Sequence, residues 1–215
     1  MKRVELTREL HDCRLVAVIR SKTAEEAMVT AQSAVNGGVK FVEVTLSVPE
    51  ALDVIRTLAS EGRVHIGAGT VLSKTQAEAA INAGAEFVVS PSSELDLIPI
   101  CHAANVAYYA GAMTPTEILT AARAGADLVK IFPADCLGGP NFIRQMAGPF
   151  PEIRFMVSGG VSLTNVKEYV HVGVTGICLG SAFLAAALAE QGERGLVNEV
   201  KEFVKFVARA QSQKS

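Results

Sequence analysis

The 215-residue chain has no tryptophan, no cysteines in CxxC spacing and no histidines in HxH or HxxxH spacing. It has no apolar run approaching the roughly 20 residues of a membrane span. It also has no excess of positive charge: 20 Lys and Arg stand against 22 Asp and Glu, a net charge of −2. Each absence excludes something. Cys13, Cys101, Cys136 and Cys178 are too scattered for a disulfide framework and fit a reducing cytoplasm. His11, His65, His102 and His171 are dispersed and share no short motif with acidic ligands, so no metal is expected. Balanced charge argues against a nucleic-acid or anionic-membrane partner. The opening stretch, MKRVELTRELHDCR, is charged throughout and does not read as a secretory signal. No linker or low-complexity segment divides the chain, so residues 1–215 are expected to form one domain. With 49% hydrophobic and 20% charged residues, the composition is that of a soluble globular protein.

What is present is a regular alternation. Short apolar, β-branched runs occupy Leu15 to Arg20, Phe41 to Leu46, Val64 to Gly67 and Phe87 to Ser90. Four more cover Val106 to Tyr109, Leu128 to Phe132, Ile153 to Val157 and Gly176 to Leu179. Between them lie Ala-rich stretches with apolar residues at i, i+3, i+4 spacing, many ending in Gly. Thr23, Thr114 and Thr164 stand where N-caps are expected. Near-continuous apolar strands separated by helices predict a parallel sheet covered on both faces. Eight such units predict a (β/α)8 TIM barrel, with an added leading helix (about 5–12) and a long trailing helix (about 192–211). The rival, a doubly wound open sheet, is disfavoured because no GxGxxG follows the first strand.

A weak internal repeat supports closure. GVKFVEV from Gly38, GAEFVVS from Gly84, GADLVKI from Gly125 and GVTGICL from Gly173 align at intervals of about two βα units, the spacing of alternate strands. Alternate strands share interior layers, so the alignment turns Glu43, Val89, Lys130 and Cys178 into one layer. A Glu and a Lys then face each other in an apolar core.

Lys130 is costly on a strand buried on both faces. It is either a structural partner of Glu43, a snorkelling strand-end lysine, or a Schiff-base lysine. Burial favours the uncharged amine and an ionised Glu43 opposes it, so the two effects compete. Glu43 is either a counter-ion or a general acid/base. Arg20 ends the first strand on the face where barrel active sites lie, and its guanidinium suits a carboxylate. Thr70 follows the third strand in GAGTVL, among small residues that let a ligand approach. Ser158-Gly159-Gly160 and Gly180-Ser181 follow strands seven and eight, the recurrent phosphate position of these barrels, although each alone could be a tight turn.

AVIR (17–20), EVTL (43–46), GAGTVL (67–72), VSP (89–91), VKIFPA (129–134), SGGVS (158–162) and LGS (179–181) occur in this order. Together, over about residues 8–210, they resemble the class I 2-keto-3-deoxy-6-phosphogluconate (KDPG) aldolase / 4-hydroxy-2-oxoglutarate (KHG) aldolase family. The resemblance implies a homotrimer of (β/α)8 barrels acting on a small keto-acid substrate without metal or organic cofactor. It implies that Lys130 forms the Schiff base, Glu43 is the general acid/base, and Thr70 contacts the pyruvate-derived carboxylate. Pro91 and Phe132 would line the pocket beside the imine, and Gly159, Gly160 and Ser181 would hold the substrate phosphate.

The sequence departs from the family pattern at Ser47, where many gluconate-type members carry an Arg directly after EVTL. A branch that includes 2-dehydro-3-deoxy-6-phosphogalactonate aldolases carries its Arg at the end of the first strand instead, and Arg20 matches that pattern. Ser92 stands where SPG is common, and Ala110-Gly111 keeps only the Gly of a common PG. These departures bear on the preferred substrate more than on the reaction. The remaining alternative is a phosphate-binding barrel without aldolase activity, in which Lys130 and Glu43 form a structural pair.

Overall fold

In the computed structural model, which describes residues 3–213, eight parallel strands form a closed barrel in sequence order. They are β1 (Leu15–Ile19), β2 (Phe41–Thr45), β3 (His65–Gly69), β4 (Phe87–Val89), β5 (Ala107–Ala112), β6 (Leu128–Ile131), β7 (Phe155–Val157) and β8 (Gly176–Leu179). The helices between them are α2 (Ala24–Asn36), α3 (Ala51–Glu61), α4 (Lys74–Asn82), α5 (Leu97–Ala103), α6 (Pro115–Ala124), α7 (Pro140–Ala147) and α8 (Val166–Val172). Helix α1 (Arg3–Cys13) precedes the barrel, and α9 (Ser181–Ser212) ends it. The expected (β/α)8 architecture is therefore present, with β1 pairing to both β2 and β8.

Local chemistry starts the helices where the sequence placed them, with one exception. Thr23 and Thr114 adopt extended backbone and accept N–H bonds from Glu26 and Glu117. Glu117 returns the bond to the Thr114 N–H, and Pro115 opens the helix, completing a capping box. Thr164 does not cap α8. Its hydroxyl pairs with that of Ser162 at 2.7 Å, and the helix begins one residue later behind Asn165. In α9 the backbone breaks at Gly192 (φ 67°, ψ −174°). The part before the break completes the eighth βα unit, and the part after it is the expected trailing addition.

Alternation along each strand divides the core. In β2, Val42 and Val44 face outward into the layer between strands and helices, whereas Phe41 faces the barrel interior. Both faces are buried, which is why the strands read as unbroken apolar runs. Inside, the rings of Phe41 and Phe87 lie 5.9 Å apart, and those of Phe87 and Tyr109 stack at 5.4 Å. Leu6 and Leu10 of α1 join this inner cluster and plug the N-terminal end of the barrel. Each contributes roughly 1.5–3 kcal/mol by burial. Among the described residues, no helix is long and apolar enough to cross a membrane.

Polar contacts also hold the plug. Arg3 pairs with Asp127, and His65 bridges Glu9 of α1 (3.0 Å) and Glu86 (3.1 Å). The hydrogen bond with Glu86 raises the His65 pKa above its ordinary value, overcoming burial, which lowers it. A raised folded-state value means that the contribution to stability is complete below about pH 6.5, the unfolded value. It is lost as the pH climbs through the higher folded value. Both carboxylates are more than a third exposed, so screening limits the effect to about 0.5 kcal/mol. His65→Gln should therefore cost more stability at pH 6 than at pH 8 in urea melts. An equal cost at both would show that the imidazole acts by packing on Phe41, whose ring lies 4.7 Å away.

Candidate active site

The C-terminal ends of the strands surround a cavity of about 490 Å³. Its lining includes every residue given a catalytic or substrate-binding expectation from the sequence: Arg20, Glu43, Thr70, Pro91, Lys130, Phe132, Ser158, Gly159, Gly160, Gly180 and Ser181. Val18 and Ala182 complete it and were not anticipated. Val18 was legible in principle, because it stands two residues before Arg20 and shares its face of β1.

Lys130 and Glu43 form the floor. They lie 87 residues apart in sequence, yet Lys130 Nζ donates to Glu43 Oε1 at 3.4 Å. Lys130 is 6% exposed and Glu43 1%. The other two residues of the repeat-derived layer, Val89 and Cys178, also face the interior. Burial pushes the Cys178 thiol up to about 12, so it stays a neutral thiol. Glu43 Oε2 is buried and has no hydrogen-bond partner among the described residues. Gly69 makes room for this carboxylate: a Cβ there would run into Glu43 Oε1. Phe132, 39% exposed at the mouth, holds its ring 5.7 Å from Lys130 Nζ.

Arg20 lies across one wall. Its Nη1 donates to Ser47 Oγ at 2.9 Å and its Nη2 to Thr70 Oγ1 at 3.0 Å. The guanidinium thus reaches the position at which Ser47 departs from the family pattern. Thr70 has φ 58°, a left-handed conformation costly for a β-branched residue, on the order of 1–3 kcal/mol. The next residue holds it there: the Val71 N–H donates to the Val89 carbonyl, and the Val71 carbonyl accepts from Ser90 Oγ at 2.6 Å.

Another part of the wall is built from backbone. Gly159 and Gly160 have φ 100° and 65°, and a Cβ at either would strike Asp135. Asn165, unanticipated as a site-supporting residue, fixes this loop. Its Nδ2 donates to the Gly160 carbonyl at 2.8 Å and its Oδ1 accepts from Ser162 N–H at 2.9 Å. Beside it, α9 starts at Ser181 behind Gly180, with no side-chain cap. Its first-turn N–H groups therefore lack side-chain acceptors, an arrangement suited to an anion. Among the described residues, no group of three or more His, Cys, Asp or Glu converges on a point where a metal ion could be held.

Comparison with known proteins identifies the family. The family model for KDPG and KHG aldolases matches residues 6–200. The 2-dehydro-3-deoxy-phosphogluconate aldolase of Pseudomonas aeruginosa is 37% identical over 185 residues, covering 85% of this chain and 83% of that protein. A solved native KDPGal structure superposes with a TM-score of 0.82 at 28% identity, covering 92% of this chain and 96% of that one. The KDPG aldolase of Legionella pneumophila, solved with pyruvate captured as a covalent carbinolamine intermediate, gives 0.82 at 26% identity, covering 92% and 97%. Matched along almost its whole length, the chain belongs to the KDPG and KHG aldolase family.

Proposed function

We propose that the protein is a class I aldolase that cleaves a 2-keto-3-deoxy-6-phospho-sugar acid, foremost KDPG, to pyruvate and glyceraldehyde 3-phosphate. It would also cleave 4-hydroxy-2-oxoglutarate to pyruvate and glyoxylate. The observation that carries this reading is a buried lysine 3.4 Å from a buried carboxylate at the floor of a cavity. Purely structural pairing would not require that pair to line an open cavity, with an anion-binding backbone on one wall and a guanidinium on the other.

In this mechanism the uncharged Lys130 amine attacks the substrate C2 ketone and forms a carbinolamine. Glu43, directly or through a water, supplies the proton with which hydroxide leaves as water, giving an iminium. Glu43, now a carboxylate, takes the C4 hydroxyl proton. The C3–C4 pair flows into the iminium, the aldehyde leaves and an enamine remains. Protonation at C3 and hydrolysis release pyruvate and restore Lys130. Arg20 and Thr70 hold the carboxylate and so fix C2 against the amine. Ser158, Gly159, Gly160, Gly180 and Ser181 hold the distal phosphate. The iminium is the electron sink, so the mechanism assigns no role to a metal or organic cofactor.

The Arg20–Ser47 arrangement favours one alternative substrate, 2-dehydro-3-deoxy-6-phosphogalactonate, because it matches the galactonate-type pattern. The kcat/KM values for the three substrates separate these readings, and KDPG is expected to give the highest. The family resemblance further points to a cytoplasmic homotrimer, which light scattering would register as a particle of three chain masses.

The decisive test is trapping. Borohydride added with pyruvate should leave a reduced adduct on Lys130, located by peptide mass spectrometry. A folded protein that gives no adduct would remove the imine mechanism. It would favour a phosphate-binding barrel with Lys130–Glu43 as a structural pair.

A further inference from the structure

Thr45 is the last residue of β2, wholly buried, and cannot touch a substrate. Its hydroxyl nonetheless stands at one end of a chain of hydrogen bonds that reaches the cavity wall. Thr45 Oγ1 donates to the Ile19 carbonyl at 3.1 Å and lies 2.9 Å from Ser47 Oγ. Ser47 Oγ in turn accepts from Arg20 Nη1, and Arg20 Nη2 reaches Thr70 Oγ1.

The direction of every bond in this chain is fixed by its ends. A carbonyl oxygen only accepts, so the single Thr45 hydroxyl hydrogen points at Ile19. Thr45 Oγ1 can therefore only accept from Ser47, which commits the Ser47 hydrogen to Thr45. Ser47 Oγ is left as an acceptor, and a guanidinium only donates, so Arg20 Nη1 completes the order. At the far end Thr70 Oγ1 also accepts from Arg20, which frees the Thr70 hydroxyl hydrogen. The wall consequently presents the remaining guanidinium N–H groups and one hydroxyl hydrogen, all donors. Such a row of donors matches the in-plane oxygens of a carboxylate.

We propose that the buried Thr45 hydroxyl, acting through Ser47, is the positioning element that sets Arg20 for the substrate carboxylate. Arg20 is exposed and long, and held by Thr70 alone it would spend more of its affinity on being ordered. Thr45 anchors it from inside the barrel wall, and its carbonyl partner belongs to Ile19, the residue before Arg20. Backbone and side chain of the same strand end are thus tied together. Bonds in such a chain polarise one another, so loss of the buried link weakens the exposed one.

This inference rests on the reading of Arg20 as the carboxylate ligand, and the experiment separates the two. The probe is pyruvate, with its apparent dissociation constant taken from the concentration dependence of borohydride inactivation. Arg20→Ala should weaken pyruvate about tenfold to a hundredfold, the scale of a charged hydrogen bond. Thr45→Val, which keeps shape and removes the hydroxyl, should weaken it about threefold to tenfold. The limiting inactivation rate at saturating pyruvate should not change, and Thr45→Ser should restore affinity. In the Arg20→Ala background, Thr45→Val should add nothing, because its only route to the ligand is gone. Ser47→Ala breaks the same chain at an exposed residue and replaces Thr45→Val should the latter fail to fold. If Arg20→Ala weakens pyruvate but neither chain variant does, or if their loss adds fully to that of Arg20→Ala, the positioning role is overturned and the Arg20 reading stands. If Arg20→Ala leaves pyruvate affinity intact, the Arg20 reading falls and the positioning role with it.

Discussion

Lys130→Ala should lower kcat by about 10⁶-fold, the scale on which an enzyme loses a covalent nucleophile. Among the described residues the side chain is the only amine lining the cavity, and the neighbouring Cys178 is held as a neutral thiol. No other group there can form an imine. The substitution also leaves Glu43 buried without its partner, and breaking a buried pair costs about 3–5 kcal/mol. Activity lost through unfolding must therefore be distinguished from activity lost through chemistry. Lys130→Arg makes the distinction. It keeps a hydrogen-bond donor beside Glu43 and should hold the barrel together, but a guanidinium forms no Schiff base. Both variants should be inactive, and the arginine variant should melt closer to the parent protein than the alanine variant does. Appreciable aldol cleavage by folded Lys130→Arg would end the covalent mechanism.

Glu43→Gln should lower kcat by about 10²–10⁴-fold, the usual contribution of a positioned acid/base. Glutamine fills the same volume between Gly69 and Lys130 and retains an oxygen for the amine. What it cannot do is gain and lose a proton as a carboxyl group does. The signature is a split between steps. Borohydride should still trap pyruvate on Lys130 in this variant, slowly, whereas turnover that needs repeated proton transfer should collapse. Equal loss of trapping and turnover would make Glu43 a positioner of the amine rather than a proton carrier. Full turnover would make the carboxylate structural.

The architecture was legible in the sequence because two independent periodicities coincide: apolar runs separated by helical stretches, and a Gly-led repeat every second strand. The same repeat located Glu43 and Lys130 before any contact was seen. Strand ends were less legible where small residues carry the strand. β3 runs on to Gly69 and β5 to Ala112, beyond the expected ends at Gly67 and Tyr109. Gly and Ala have weak strand preference by themselves. Here they are required by what packs on them: Phe87 fills the space beside Gly67, and the Pro91 backbone approaches Gly111. Thr164 was misread as a cap because a Thr before a helix looks the same whether it bonds forward to the helix or back to Ser162. The left-handed Thr70 and the Thr45–Ser47–Arg20 chain left no trace in local pattern. They arise from partners 26, 27 and 50 residues apart that only the barrel register brings together.

The closure of that register has a consequence for how the protein comes into being. Arg14, at the start of β1, gives its guanidinium to the carbonyl of Val174, 160 residues later, and Ile177 N–H returns a bond to the Arg14 carbonyl. During synthesis the first strand therefore waits for nearly the whole chain. Until Gly176–Leu179 emerge, the growing sheet carries two open parallel edges, the kind of surface that recruits other chains. Contacts of such long sequence separation are reached slowly. The vulnerable period of this protein is thus set by translation and by the search for one final strand pairing. Once that pairing is made, no edge remains for another chain to find.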